Sequence, residues 1–263
     1  MGANIGGNPR SNKQARDFSP MSSKRRAIAL AVCMVVAGGA SGQDRHAEAR
    51  ARLLRTIESN VRELESSIGR SRLSERVVRA MEKVPRHKFV PPALVDRAYE
   101  NRPLPIGLDQ TISQPFIVAL MTDLLDPQPG HRVLEVGTGS GYQAAVLAEC
   151  VEKVYSIEIL KPLADRARAL LVELGYRNVE VRAGDGYAGW PDAAPFDGII
   201  VTAAPDHVPP ALVEQLRPGG RMVIPVGAQS DGQDLLVVQK DASGKIASRK
   251  TLPVRFVPLT RER

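Results

Sequence analysis

The chain has 263 residues with 43% apolar content, 36 Lys+Arg against 29 Asp+Glu, two Cys and one Trp. That composition suits one ordinary globular domain with an appendage, and it excludes a disordered chain, a collagen and a disulfide-framed scaffold. The formal charge of +7 raises a nucleic-acid or membrane-surface partner, but residues 1–106 hold 20 Lys+Arg against 10 Asp+Glu, whereas residues 107–263 hold 16 against 19.

Residues 1–20 are polar, Gly- and Asn-rich and without hydrophobic period, which reads as disorder or as an extension upstream of a start at Met21. Lys24, Arg25 and Arg26 then precede a 14-residue apolar run from Ala27 to Ala40 and a group of small residues. This is the order of a secretory signal, and the run is shorter than the ~20 residues that span a bilayer. Gly38/Ala40 and Ala40/Gly42 each suit a cleavage site, while Cys33, preceded by Val32, makes a poor lipoprotein box. The expected organisation is therefore a disordered extension with a signal-like segment over 1–43 and a main domain over 44–263. Within that domain we expect a helical part at 44–130, an α/β core at 131–227 and C-terminal strands at 228–263.

From Ala47 to Val84, Leu53, Leu54, Ile57, Val61, Leu64 and Ile68 recur at spacings of three and four, giving one apolar stripe among Arg and Glu. Gly69 breaks this helix, and Ser74 starts a second one that Pro85 ends. The basic residues here read as a solvated helix face, since no aromatic residues interleave with them for base stacking.

Beyond residue 131 short β-type runs alternate with helical patterns. The spacing predicts strands at 132–137, 153–159, 179–182, 196–201 and 221–224, with helices at 142–149, 162–174 and 210–216. Strands joined by helical crossovers mean a doubly wound, mostly parallel α/β sheet with helices on both faces, whose ligands sit beyond the carboxyl ends of the strands. The stretch 234–257 alternates around Lys240-Asp-Ala-Ser-Gly244 and reads as an antiparallel hairpin added to that sheet. His46, His87, His131 and His207 are scattered and Cys33 and Cys150 lie far apart, so no metal is expected.

The loop after the first of these strands is Glu135-Val-Gly-Thr-Gly-Ser-Gly-Tyr142. Gly137, Gly139 and Gly141, with Thr138 between them, let the chain turn sharply and bring backbone N–H groups to a ligand at a helix N-terminus. The pattern is G-x-G-x-G, with Tyr142 where a dinucleotide loop would need its third glycine, and it lacks the G-K-[ST] of a triphosphate loop. Glu158 ends the second strand, where a carboxylate can accept from both hydroxyls of a ribose. Gly184 and Asp185 follow the third strand, where an acid can accept from an adenine amino group. Glu135, under the glycine loop, would repel a pyrophosphate and help to hold a cation. An adenosine without phosphates and with a positive sulfonium, S-adenosylmethionine, fits this set better than a dinucleotide.

The segments Val84-Pro-Arg-His-Lys-Phe-Val-Pro91, Leu104-Pro-Ile-Gly107, Gln110-Thr-Ile-Ser-Gln-Pro115, Leu134-Glu-Val-Gly-Thr-Gly-Ser-Gly-Tyr-Gln143, Ala183-Gly-Asp-Gly186, Pro195-Phe-Asp-Gly-Ile-Ile-Val-Thr-Ala-Ala204, Pro218-Gly-Gly-Arg221, Pro225-Val-Gly227 and Arg255-Phe-Val-Pro-Leu259 closely resemble the protein-L-isoaspartate O-methyltransferase family. The likeness runs from about residue 50 to the C-terminus, and Thr-Ile-Ser-Gln-Pro is specific to that family within the wider methyltransferase fold. The N-terminal extension departs from it, since cytosolic bacterial members begin near residue 50.

The resemblance implies a Rossmann-like class I methyltransferase that uses S-adenosylmethionine as methyl donor to esterify the free α-carboxyl group of L-isoaspartyl residues. The ester then collapses to a succinimide, which begins repair. It further implies that Ser113 binds the acceptor carboxylate, that Thr111 and Gln114 shape the same pocket, and that the partners are isoaspartyl-containing proteins and peptides. A monomer without nucleic acid or stable membrane association is expected, in the cytoplasm where the cofactor is made. The alternative is a periplasmic or secreted protein exported through residues 24–42. A carboxylate with a pKa of about 3.5 is already ionised at neutral pH, so the transfer needs no general base, and no Ser-His-Asp or Cys-His constellation is evident.

Overall fold

The N-terminal stripe folds as its spacing predicts, because the i, i+3, i+4 recurrence puts its apolar residues on one helix face. In the computed structural model, which describes residues 41–228, 230 and 232–261, α1 spans Ser41–Glu63, α2 spans Glu65–Ile68 and α3 spans Glu75–Lys83. Leu53, Leu54, Ile57, Val61 and Ile68 are buried, and Gly69 closes α2 in the left-handed conformation, φ 74°. The expected extension at 1–20 and nearly all of the signal-like segment 24–42 lie outside the described residues.

Two short 3-10 turns, Arg86–Lys88 and Pro92–Arg97, lead into an antiparallel hairpin of β1 (Leu104–Gly107) and β2 (Gln110–Ile112). The hairpin turns through Leu108 and Asp109, at φ 53° and 57°, and has none of the Asn-Gly chemistry that marks such turns in a sequence. Helix α4 (Pro115–Leu125) follows and is buried almost all round. Its Asp123, 2% exposed, is ion-paired to Arg70 and accepts the Ser74 N–H at 2.7 Å. That carboxylate therefore satisfies the N–H of the N-cap residue of α3 from a neighbouring helix, while the Ser74 side chain makes no cap hydrogen bond of its own.

The α/β body contains β3 (Arg132–Val136), α5 (Tyr142–Ala148), β4 (Lys153–Glu158), α6 (Lys161–Glu173), β5 (Val179–Ala183), β6 (Phe196–Val201), α7 (Pro210–Gln215), β7 (Leu216–Val226), β8 (Gln233–Lys240) and β9 (Ile246–Val254). Among the described residues these strands make one sheet in the order β5-β4-β3-β6-β7-β8-β9. The first five positions pair parallel, and β8 and β9 extend the sheet antiparallel from β7, as the C-terminal alternation suggests. Strand β7 starts at Leu216 rather than 221, because Leu216 already pairs with Phe196 across a register irregularity.

Both faces of the parallel part are buried. Val133, Val154, Val181, Ile200 and Val223 join the core beneath the N-terminal helices, α5 and α6. Leu134, Val136, Ile157, Ile199, Met222 and Ile224 join the core on the opposite face, with Trp190, Phe196 and Leu212. The winding reverses between β3 and β6, so the connections that leave those two strands turn to opposite faces of the sheet and open a crevice beyond their carboxyl ends, the position expected of a ligand site.

Asp123→Ala leaves the Ser74 N–H unsatisfied and Arg70 without its partner, and removing one buried hydrogen-bonding partner costs about 1–3 kcal/mol. Urea unfolding followed by circular dichroism is expected to show that loss with little change in the denaturant slope.

Candidate cofactor and acceptor site

At the crevice the glycine loop folds tightly over the ends of β4 and β6. Gly137, Gly139 and Gly141 all take positive φ, and the Gly137 N–H donates to Ile157 O at 2.8 Å. Thr202, just after β6, donates its hydroxyl to Gly137 O at 2.6 Å, and a Cβ on Gly137 would clash with the Thr202 hydroxyl oxygen. Glu158, 6% exposed, accepts the Gly139 N–H on one carboxylate oxygen at 2.8 Å and the Leu160 N–H on the other at 3.0 Å. One acceptor position thus remains on each oxygen, which suits two vicinal hydroxyls.

A cavity of about 320 Å3 lies over this loop. Of the expected residues, Gly137, Thr138, Gly139, Glu158, Thr111 and Ser113 line it. Gly141 stands behind it as the N-cap of α5, close against Leu171 and Ala167. Gly184 and Asp185 follow β5, where Asp185 accepts the Tyr187 N–H at 2.8 Å and Gly186 borders the cavity. Gln114 turns aside, donating to Asn101 O at 3.0 Å, and lines an adjoining groove of about 590 Å3. Residues not singled out from the sequence also shape the wall, notably Leu108, Tyr142, Thr202 and the segment Val257–Thr260. Thr202 was legible in the sequence as part of the segment 195–204 that carries the family resemblance, with no role attached to it.

Glu135 departs from its expected role. On β3 it shares the face of Val133, so its side chain enters the core instead of the crevice. It is wholly buried, accepts from Ser156 Oγ at 2.5 Å and has no partner on Oε1 among the described residues. Ser156 in turn meets the Thr138 hydroxyl at 2.6 Å. Burial pushes the Glu135 carboxyl up to about 8, with the nearby Glu158 charge raising it and the Ser156 hydrogen bond opposing the shift. Glu135 does not line the cavity, and it meets the loop from below through Ser156 and Thr138.

Ser113 sits between β2 and α4. The first N–H groups of α4 need partners, and Asn101 Oδ1 takes the Phe116 N–H at 3.0 Å. The N-cap residue is Gln114, which makes no side-chain cap bond, so Ser113 stands one residue outside the helix. The charged residues on the cavity wall are Asp109 and Glu158, and among the described residues no Lys, Arg, His or Cys lines it. Such a wall disfavours phosphates and favours a ligand with a positive centre.

Comparison with known proteins agrees with this geometry. Residues 59–263 match the family model described as protein-L-isoaspartate(D-aspartate) O-methyltransferase. A protein-L-isoaspartate O-methyltransferase 2 of Syntrophobacter fumaroxidans is 56% identical over 235 residues, covering 89% of this chain and 95% of the relative. A protein of the same name from Polaromonas sp. is 58% identical over 211 residues, covering 80% of this chain and all of the relative. A solved structure of a Plasmodium falciparum beta-aspartate methyltransferase, in complex with S-adenosyl-L-homocysteine, shares the fold with a TM-score of 0.66 at 23% identity, covering 82% of this chain and 99% of that one.

The raised Glu135 pKa makes stability depend on pH. The folded protein holds this proton to about 8 and the unfolded chain only to about 4.5, so the contribution is full below about 4.5 and is lost as pH rises through about 8. Glu135→Gln mimics the neutral carboxyl and is expected to lack this loss. Thermal melts between pH 5 and 9 should therefore diverge at the alkaline end, with the variant the more stable; parallel curves contradict the assignment.

Proposed function

The chain belongs to the protein-L-isoaspartate(D-aspartate) O-methyltransferase family, and on that premise we propose that Ser113 binds the acceptor carboxylate at the junction of its two cavities. The reaction is methyl esterification of L-isoaspartyl carboxyl groups in damaged proteins, the step that opens repair through a succinimide. S-adenosylmethionine, when bound, supplies an electrophilic methyl group on a sulfonium centre. The residues present fit it: the acidic wall formed by Asp109 and Glu158 suits the positive charge, and the free acceptor positions of Glu158 suit ribose hydroxyls.

Gly137, Thr138, Gly139 and Gly141 form the loop under the cofactor in this reading, with Gly184 and Asp185 turned to the adenine. The observation that supports it most is that Ser113, with Thr111, Thr202 and Val257, lines both the cofactor cavity and the adjoining groove. A polypeptide lying in the groove, along Leu252–Val257 and past Gln114, brings its isoaspartyl carboxylate to Ser113. The Ser113 hydroxyl then donates to one carboxylate oxygen and leaves the other free to attack. No base is needed for an acceptor already ionised; the demand is an aligned approach at about 3 Å.

The catalytic unit we propose is 44–263, with 1–43 as an appendage. Cytoplasmic action follows from where the methyl donor is made, and among the described residues no helix is long and apolar enough to cross a membrane. A monomer is supported by the charged outer edge at β9, where Arg249 and Lys250 discourage strand addition. The balance of 16 Lys+Arg against 19 Asp+Glu over 107–263 speaks against nucleic acid.

Ser113→Ala removes one hydrogen bond to a charged group, worth about 1.5–3 kcal/mol, so turnover on an isoaspartyl peptide is expected to fall roughly 10- to 150-fold. The affinity for S-adenosylmethionine, read by calorimetry, should stay near wild type. Radiolabelled methyl transfer to matched Asp and isoAsp peptides checks both the loss and the selectivity, and unaltered turnover removes Ser113 from the acceptor site. Asp185→Ala is expected to do the reverse, weakening cofactor binding; wild-type affinity there removes Asp185 from the adenine subsite.

A further inference from the structure

Arg86 is the one fully buried cation in the described core, 0% exposed. Its Nε donates to Ala98 O at 2.8 Å, its Nη2 donates to Ser113 O at 2.7 Å, and its guanidinium lies 4.7 Å over the Tyr142 ring. Tyr142 is the first residue of α5, directly after Gly141, and lines the cofactor cavity. One side chain thus joins the carbonyl of the acceptor serine to the helix that carries the cofactor loop.

A buried cation is costly unless it is paired, yet Arg86 has no carboxylate partner among the described residues, and its Nη1 is buried without a hydrogen bond. Desolvation lowers it to about 10, the Tyr142 and Tyr99 rings opposing the shift, so it remains charged at neutral pH. Packing alone would be served at lower cost by an apolar side chain of similar volume. What an apolar side chain cannot do is present a rigid planar fork to two carbonyls while stacking on a ring.

We propose that Arg86 is a positioning residue for methyl transfer, its guanidinium fixing Ser113 against the cofactor-bearing helix. The proposal rests on the reading of Ser113 given above. Its basis is geometric: the distance from Ser113 to the glycine loop sets the approach of carboxylate to methyl carbon, and a 1 Å misplacement can cost about 100-fold in rate. Lysine retains charge but not the fork, so Arg86→Lys should release the Ser113 carbonyl while leaving the glycine loop and Glu158 intact.

The test compares wild type, Arg86→Lys, Ser113→Ala and the double variant for melting temperature, calorimetric affinity for S-adenosylmethionine, and kcat and KM on an isoaspartyl peptide. Arg86→Lys is expected to lower kcat by roughly 30- to 100-fold with cofactor affinity unchanged. In the Ser113→Ala background the same substitution should cost less than about threefold, the non-additivity of two residues acting as one. Methylguanidinium should restore part of the kcat lost in Arg86→Ala, and Arg86→Gln carries the comparison should the lysine variant not fold. An undiminished kcat in Arg86→Lys overturns the proposal alone. So does an equal loss with and without Ser113, or a parallel loss of cofactor affinity, each of which marks a purely structural role. Wild-type kcat in Ser113→Ala overturns the reading of Ser113 and the proposal with it.

Discussion

The site depends on how closely the chain after β3 approaches the chain after β6. Thr202 donates its backbone N–H to Val136 O at 2.8 Å and its hydroxyl to Gly137 O at 2.6 Å, a contact that leaves no room for a Cβ at 137. The connections that leave these two parallel strands for opposite faces of the sheet would otherwise separate beyond the last ladder bond. Pinning them there turns the next residues outward, so that the Gly139 N–H reaches Glu158 at the end of β4. A single hydroxyl therefore links the sheet's reversal point to the carboxylate that lines the cavity.

The parallel body was legible because strands buried on both faces must be continuously apolar, and Phe196–Val201 and Val133–Val136 are almost that. The same rule contains the signal for Glu135 that motif spacing misses. Position 135 alternates with 134 and 136 and falls on the side of Val133, so the period of two sends it into the core although its place in the motif suggests the crevice. The β1–β2 hairpin was not legible, since its strands are short and its first turn residue, Leu108, ordinarily avoids positive φ. Ser113 had no physical signal of its own, and only the family resemblance gave it a role. The N-cap of α4 is Gln114, which makes no side-chain cap bond; Asn101 takes the Phe116 N–H instead, through a contact 15 positions away that no local pattern encodes.

Charge counting misleads in the same way when it ignores depth. The excess of Lys and Arg before residue 107 suggests solvated faces, and among the described residues most of these side chains are exposed, but Arg86 belongs to that tally and is buried beneath Ser113. The cavity itself has the opposite character, with Asp109 and Glu158 as the charges on its wall. A basic total and an acidic site coexist because the first sums the whole chain and the second is set by one hairpin turn and one strand end, at Asp109 and Glu158. The acidic wall decides the ligand class, since phosphates would meet like charge at close range while a sulfonium would meet its counter-charge.

Methyl transfer to a carboxylate that is already ionised leaves the protein no proton to move, so placement is what it can contribute. That explains where this fold gives up stability. Leu108, 54% exposed and in a left-handed conformation at the cavity rim, costs about 1–2 kcal/mol relative to ordinary backbone. Arg86 remains charged where an apolar residue would pack, and Glu135 is held neutral where a leucine would satisfy the core. Each lies on an element that borders Ser113 or the glycine loop, and strain or buried polarity persists where the surroundings over-determine it. An enzyme needing a tuned base would concentrate such costs on one titrating side chain. Here they are spread over the hairpin, the buried guanidinium and the strand end, because the quantity they hold fixed is the distance between two loops.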